Sequence, residues 1–359
     1  MVVQKLAEGL TDRASKVTVL YYHRFANGMP TTGVDLDAHG VKTIWIRGPR
    51  TVHRKYAERI DGWRTARLIR SLRIDVANVH TWERAYSLRV ARQLPPELPV
   101  VLTHHGTRIC NRGMISTNRL HLGVNSRYRY EYEDRDNNSN CRAIDIGIDR
   151  QTIDGSRLSR GEARESLGLD AEKPVMLTIG RCNRHKGCDI WIEVVRRLEQ
   201  RYPGAFTYVF AGAYERGGYN PNFYEDLLSL RKRHDNVIIK PILPHRDVIR
   251  LIRACDLLLV TSRTESFALK AVEALYCGRP VVTHFLGVLA DLIEEGVSGA
   301  IVDYMDIDAL TTAAAEWLIR PCDVKAHIPG KYFVDQMVER YERCFRDMLA
   351  GQSGRCQNG

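Results

Sequence analysis

The sequence predicts an α/β protein with two doubly wound parallel sheets. Three observations carry this. Short apolar runs alternate with amphipathic stretches along the whole chain, the pattern of parallel strands wrapped by helices. A length of 359 residues exceeds one ordinary core and suits two domains of about 150 residues each. Hydrophobic residues at 44% and charged residues at 27% lie near globular averages, which sets aside wholesale disorder, collagen and coiled coil.

In the first half, the apolar runs place strands at Val17–Tyr22, Thr43–Ile46, Val76–Val79, Val100–Thr103, Leu122–Asn125 and Ala143–Ile146. Helical patterns fall between them at Gln4–Ala14, Tyr56–Leu72 and Ala85–Gln93. In the second half, strands are expected at Val175–Ile179, Tyr208–Ala211, Val237–Ile239, Leu257–Val260, Pro280–Thr283 and Gly299–Val302. Helices are expected at Cys188–Tyr202, Asn222–Arg233, His245–Ala254, Ser266–Cys277, Asp306–Leu318 and Val334–Leu349. The division that follows is a first domain over 1–150, a polar linker over 151–173, a second domain over 174–330, and a C-terminal helix and tail over 331–359. Ligands of open α/β sheets sit beyond the carboxyl ends of the strands, so a cleft between two such domains is the expected site.

The 53 Lys+Arg against 43 Asp+Glu leave a net charge of +10, which suggests anionic company: nucleotide phosphates, an anionic membrane surface or nucleic acid. No run approaches the apolar length of a transmembrane helix, and MVVQKLAEGL lacks the pattern of a secretory signal. The nine cysteines are scattered without a Cys-x-x-Cys pair, which argues against a zinc site or disulfide framework and for a reducing cytoplasm.

Three constellations could carry chemistry. The first follows the strand Leu257–Val260 and opens a helix, with Glu265 at the turn and Glu273 eight residues on. That separation is near two helical turns and would put both carboxylates on one side of the helix. Backbone N–H groups over Ser266–Leu269 could receive a phosphate, and a carboxylate could accept from adjacent ribose hydroxyls. The plainer reading is an acidic helix start plus an exposed Glu. The second is Gly180-Arg181-Cys-Asn-Arg-His-Lys186-Gly187, also between a strand and a helix. Arg181 and Lys186 beside a helix N-terminus suit a diphosphate; a solvated basic turn is the alternative. The third is His104-His105-Gly106 at a strand end, where His105 would overhang the cleft. His104 is its rival, since adjacent strand residues face opposite ways, and His80 ends another strand. A structural histidine is the plainer reading of each.

Together these residues resemble the retaining glycosyltransferases of family 4, which have the GT-B architecture of two Rossmann-like domains. Over Pro174–Tyr304 the Gly-Arg-x4-Lys-Gly turn, the Ala211-Gly212 step and the Glu265–Glu273 pair stand in family order, followed by Gly278-Arg-Pro-Val-Val and the run Glu294–Val302. IDVANVHTW, VVLTHHG, LGVNS and AIDIGID look like the family's first-domain strand ends. The resemblance implies a hexosyltransferase that takes a nucleotide-sugar donor, UDP-glucose or GDP-mannose being typical, and passes the sugar to a glycan or lipid-linked acceptor. Arg181 and Lys186 would bind the diphosphate and Glu273 the ribose. Glu265 would touch the transferred sugar with backbone N–H groups of Phe267, Ala268 and Leu269, and His105 would lie by the sugar or acceptor. No metal or other cofactor is required, because Arg181, Lys186 and helix dipoles take that role.

The chain departs from the family in four places. It begins inside what looks like the family's first helix, so the opening strand is missing; the stretch from Gly106 to Asn125 is short; Phe267-Ala268 replaces a Phe-Gly pair; and Asp291 stands where a Glu is usual. Two alternatives therefore stay open: a nucleic-acid-modifying glucosyltransferase and a non-catalytic nucleotide-sugar binder. No nucleic-acid-binding module is visible, so nucleic acid is not the expected partner. Asp134/Asp136 and Asp306/Asp308 have the spacing of metal-binding pairs, but the second reads better as a helix cap. Between Arg47 and Arg73, nine Lys/Arg interleave with Tyr56, Ile60, Trp63, Leu68, Ile69 and Leu72. That helix could lie on anionic lipid, giving a cytoplasmic protein with peripheral membrane contact, or be a solvated basic face over a core stripe.

Overall fold

The structure, a computed structural model, describes residues 2–23, 36–47, 54–81, 86–106, 119–126, 141–156, 158–213, 221–284 and 287–351. The chain divides into two compact units, 1–147 with 330–359 and 148–329.

The first unit runs α1 (Val2–Asp12), β1 (Thr18–His23), β2 (Lys42–Arg47), α2 (Arg54–Ser71), β3 (Ala77–Thr81), α3 (Tyr86–Gln93), β4 (Val100–His104), β5 (Arg119–Gly123) and β6 (Cys141–Ala143). β1 and β2 pair in parallel; β3-β4-β5-β6 form a separate parallel sheet. The second unit holds α4 (Arg150–Gly155), α5 (Arg160–Leu167), β7 (Val175–Ile179), α6 (Cys188–Arg201), β8 (Thr207–Ala213), α7 (Pro221–Arg233), β9 (Val237–Pro241), α8 (His245–Ala254), β10 (Leu257–Val260), α9 (Leu269–Tyr276), β11 (Val281–His284), β12 (Gly299–Val302) and α10 (Ile307–Ile319). The chain then returns to the first unit as α11 (Val334–Leu349).

Strand β4 shows why the first unit is doubly wound. All five of its residues are buried. Val100 and Leu102 pack with Ala66 and Ile69 of α2 and Val90 of α3. Val101, pointing the other way, packs with Leu6 and Leu10 of α1 and with Met337, Val338 and Tyr341 of α11. The helix expected as part of a C-terminal tail thus supplies one face of this core.

β5 begins at Arg119, three residues before the expected Leu122. A buried arginine and a buried histidine hid the strand from a search for apolar runs; Arg119 meets the carbonyls of Leu98 at 2.6 Å, Pro95 at 3.0 Å and Leu94 at 3.2 Å. The stretch 151–173, expected as linker, carries α4 and α5. Asp149 caps α4 by accepting from the Thr152 N–H, and Ser159 with Glu162 forms a capping box at α5. Arg160 and Arg164 both bond the buried Asp256, which also accepts from the Val175 N–H at 2.7 Å. These bonds tie α5 to the second unit.

The second sheet has the order β12-β11-β10-β7-β8-β9, all parallel. The chain leaves β7 toward β8 and β9, then returns to place β10 on the other side of β7. The order therefore reverses between β7 and β10, which is the topological switch point of such a sheet. Trp191, Tyr208 and Phe210 anchor the core against α6, α7 and α10.

Candidate functional site

The turns that follow β7 and β10 are strapped together at the switch point. After β7, the Gly180 N–H donates to the Ala211 carbonyl at 2.9 Å. Gly212, at φ 104°, lies so close that a Cβ there would stand 2.6 Å from the Gly180 oxygen. The Asn183 side chain accepts from the Lys186 N–H at 3.0 Å and starts a short 3-10 turn. Gly187, at φ 64°, begins α6, and a Cβ there would collide with the Thr261 carbonyl. From the β10 side, the Thr261 hydroxyl donates to the Lys186 carbonyl at 3.0 Å and the Arg263 N–H to the His185 carbonyl at 2.9 Å. The Arg263 guanidinium grips Asp189 through two bonds of 2.7 Å and the Arg184 carbonyl at 2.6 Å.

This strap gathers the expected groups. Lys186 Nζ donates to Glu265 Oε1 at 2.6 Å, and the Ser262 hydroxyl donates to the same oxygen at 2.6 Å. Arg181, on the same turn after β7, is exposed, with no side-chain partner among the described residues. Its cation is the uncompensated one of the pair, whereas Lys186 already faces a carboxylate.

Helix α9 starts at Leu269, not at Ser266. Ala268 takes a left-handed conformation, φ 59° and ψ 43°, which no α-helix can include. A Gly would sit there without strain, so the Phe267-Ala268 departure falls on a backbone that favours glycine. Phe267 itself is buried. Ser266, Phe267 and Ala268 thus form the entry loop rather than a first helical turn.

The late helix start also overturns the shared helical face expected for Glu265 and Glu273. Glu265 lies in the loop. Glu273 lies within α9 and is fully buried, rather than exposed at a surface. Its Oε1 pairs with His245 Nε2 at 2.9 Å and its Oε2 with Lys270 Nζ at 2.8 Å. Burial pushes this carboxyl up, but the bond from His245 and the charge of Lys270 outweigh it and hold it below the ordinary range. His245, Lys270, Ser262 and Arg263 carry the arrangement and were not singled out in the sequence. Only the i, i+3 spacing of Lys270 and Glu273 offered a signal.

In the first unit, His104 and His105 divide as the strand pleat requires. His104 Nε2 lies 3.0 Å from His121 Nδ1 of β5, and His105 Nε2 lies 2.8 Å from His80 Nδ1 of β3. Each pair of rings is stacked. Loss of solvent pulls all three titratable rings at these strand ends down, His80 and His104 to about 3 and His105 to about 4.

Asp306 caps α10, accepting from the Ala309 N–H at 2.9 Å, and Asp308 pairs with Arg197. Asp134 and Asp136 lie outside the described residues, as do the side chains of the basic stretch from Arg47 through Arg59. Among the described residues, no cluster of three or more His, Cys, Asp or Glu is placed to hold a metal, and no helix is long and apolar enough to cross a membrane.

A parallel sheet that reverses between two adjoining strands, with cations and carboxylates collected on the turns at that reversal, defines the doubly wound class whose ligand-binding turns sit at the switch point. Residues 159–332 match the family model described as glycosyl transferases group 1, so this part of the chain is similar to that family. The D-inositol 3-phosphate glycosyltransferase of Mycolicibacterium smegmatis is 30% identical over 200 residues, which cover 54% of this chain and 45% of that protein. The protein of the same name from Thermobifida fusca is 32% identical over 164 residues, covering 45% of this chain and 37% of the relative. The matches thus span less than half of these relatives.

Among solved structures, sucrose-phosphate synthase from Thermosynechococcus elongatus superposes with a TM-score of 0.71 at 19% identity, over 97% of this chain and 90% of that one. Anabaena HepE, solved with UDP and glucose, gives 0.68 at 18%, over 96% and 95%. The fold is GT-B, with two Rossmann-like units.

Proposed function

We propose that the protein is a retaining hexosyltransferase that takes a nucleotide-sugar donor in its second unit and passes the sugar to a glycan, lipid-linked or other hydroxyl acceptor. The observation that carries the reading is Arg181, exposed and without a side-chain partner among the described residues, on the same turn as the Lys186 that pairs with Glu265. When the glycosidic bond of a donor breaks, negative charge grows on the departing diphosphate. Cations fixed beforehand by a hydrogen-bonded turn stabilise that charge with little reorganisation.

In this reading Arg181 and Lys186 hold the diphosphate, Glu265 accepts from hydroxyls of the transferred sugar, and Glu273 uses its remaining lone pairs on the ribose. Gly180 lets the ligand approach the turn, and the loop Ser266–Leu269 offers backbone N–H groups. His105 serves the transferred sugar or the acceptor. The cations stand in for a metal, so the reaction proceeds in EDTA. UDP as the nucleotide is supported by the HepE complexes with UDP and UDP-glucose. The names of the relatives make a phosphorylated polyol one acceptor to try. We place the protein in the cytoplasm. Peripheral contact with anionic membrane is supported by α2, where Ile60 and Trp63 are 48% and 52% exposed beside Arg64 and Arg67.

The test is a thermal-shift panel of UDP, GDP and ADP and their sugars, followed by a transfer assay with the sugar that binds. A ligand that binds only the folded state raises apparent stability. A shift with one nucleotide and label moved to an acceptor are expected; no shift with any of them overturns the reading. Tight binding with neither transfer nor hydrolysis identifies a non-catalytic binder.

A further inference from the structure

His105 stands at the end of a line of hydrogen bonds that begins on a distant helix. Tyr341 of α11 is 1% exposed, and burial pushes its phenol up, so it keeps its proton. The partner of its hydroxyl is Thr103 Oγ1, at 3.3 Å. A buried O–H that donates to nothing loses its bond to water without replacement, so the phenol donates and Thr103 accepts. Thr103, fully buried on β4, then gives its own proton to Asn78 Oδ1 at 2.8 Å.

That bond fixes the amide of Asn78. With Oδ1 turned to Thr103, Nδ2 faces His80 Nε2 at 3.2 Å and donates to it. His80 is neutral at ordinary pH, held at about 3 by loss of solvent and then by His105. With Nε2 accepting, its one ring proton sits on Nδ1 and goes to His105 Nε2, 2.8 Å away. The pairing of β3 with β4, His80 opposite Thr103, sets these side chains in reach of one another. His105, held at about 4 by burial, is neutral as well, so its single proton is left on Nδ1.

We propose that Tyr341, Thr103, Asn78 and His80 form a one-way hydrogen-bond chain that locks His105 with its proton on Nδ1, so that His105 meets substrate as a hydrogen-bond donor and not as a general base. The substrate half rests on the glycosyltransferase reading; the chain itself does not. His80, Asn78, Thr103 and Tyr341 are positioning residues. The group His105 recognises is an acceptor oxygen, of a sugar hydroxyl or a phosphate, that approaches Nδ1.

Long-range proton–nitrogen correlation NMR on the full chain labelled with ring-15N histidine reads the tautomer directly. The parent is expected to carry the His105 proton on Nδ1. Asn78→Asp replaces the amide donor with a carboxylate that can only accept. His80 then donates from Nε2, accepts at Nδ1, and the His105 proton moves to Nε2. His80→Asn keeps a donating amide nitrogen near the place of Nδ1 and preserves the Nδ1 tautomer. With a UDP-sugar donor, Asn78→Asp lowers kcat about tenfold with donor KM changed less than about twofold, and His80→Asn keeps most of the parent's kcat. Where Asn78→Asp does not fold, Tyr341→Phe frees the direction and gives a mixture of both His105 tautomers. A parent with the proton on Nε2, or a tautomer unmoved in Asn78→Asp and in Tyr341→Phe, overturns the chain. A reversed tautomer with unchanged kcat overturns the donor role and leaves the chain standing. A parent with no transfer at all overturns the functional reading without touching the tautomer result.

Discussion

The two candidate regions solve the same problem, holding polar groups still, by opposite means. At the switch point of the second unit the polar groups are charges held by countercharges: Lys186 by Glu265, Arg263 by Asp189, Glu273 by Lys270 and His245. At the end of β4 they are neutral imidazoles held by direction, each nitrogen assigned as donor or acceptor by the next group in line. The first arrangement tolerates acid down to the carboxylate range and responds to charge removal. The second is indifferent to salt and fails when a ring is protonated.

The sharpest way to break the comparison is Gly187→Ala. A Cβ at φ 64° meets the Thr261 carbonyl, so the strap between the two turns must open. We expect a loss of more than about 3 kcal/mol in the second unit, measured by chemical unfolding, with nucleotide binding lost. The strands of the first unit should keep their hydrogen-exchange protection. Next is Glu273→Ala, which strips the partner from His245 and Lys270. Their side chains are 23% and 29% exposed and can turn partly to water, so the cost is about 2 kcal/mol rather than that of a sealed pair. A neutral effect on unfolding would return Glu273 to an incidental position.

Acid should then separate the units. His80 and His104 titrate at about 3 and His105 at about 4 in the fold, against 6.5 ordinarily. The unfolded chain therefore takes protons first. This stability is complete well above pH 6.5 and drains away as pH falls toward 3, by on the order of 2 kcal/mol per ring between pH 7 and 5. Amide exchange of Val100–His104 should quicken over that range while that of Val175–Ile179 does not; equal quickening would erase the contrast.

Arg181→Ala should cost about 1 kcal/mol of UDP affinity by calorimetry, leave uridine affinity alone, and leave stability unchanged because the side chain is exposed and has no partner among the described residues. The smallest expected effect has the opposite sign. Ala268→Gly relieves a left-handed alanine at φ 59°, offset in part by a freer unfolded chain, for a gain of about 0.5 kcal/mol.

Much of the fold was legible because each apolar run is punctuated. Val175–Ile179 is bounded by Pro174 and Gly180, and β7, β10, β12, α8 and α11 have the expected bounds. β5 was blurred because Arg119 and His121 are buried polar residues whose carbonyl and ring partners only the fold supplies. Sequence brought Arg181, Lys186 and Glu265 onto two turns, and the sheet order made those turns neighbours. It misjudged Glu273 because helical spacing says which residues align, not whether a helix has begun. A backbone angle at Ala268 decided that. His245, the partner of Glu273, lies 28 residues upstream, and nothing in the chain near Pro244 announces it.

The return of α11 to the first unit sets an order of events during synthesis. Tyr341 meets Thr103 across 238 residues of chain. While a ribosome is still making residues 148–329, that continuous unit can close on itself as it emerges, but the earlier-made strands β4 and β5 have no Met337, Val338 or Tyr341 to cover Val101 and Leu120. The usual sequence, first domain first, is therefore inverted here. The first unit finishes after the second, and Val101 and Leu120 stay uncovered on that face until α11 leaves the exit tunnel.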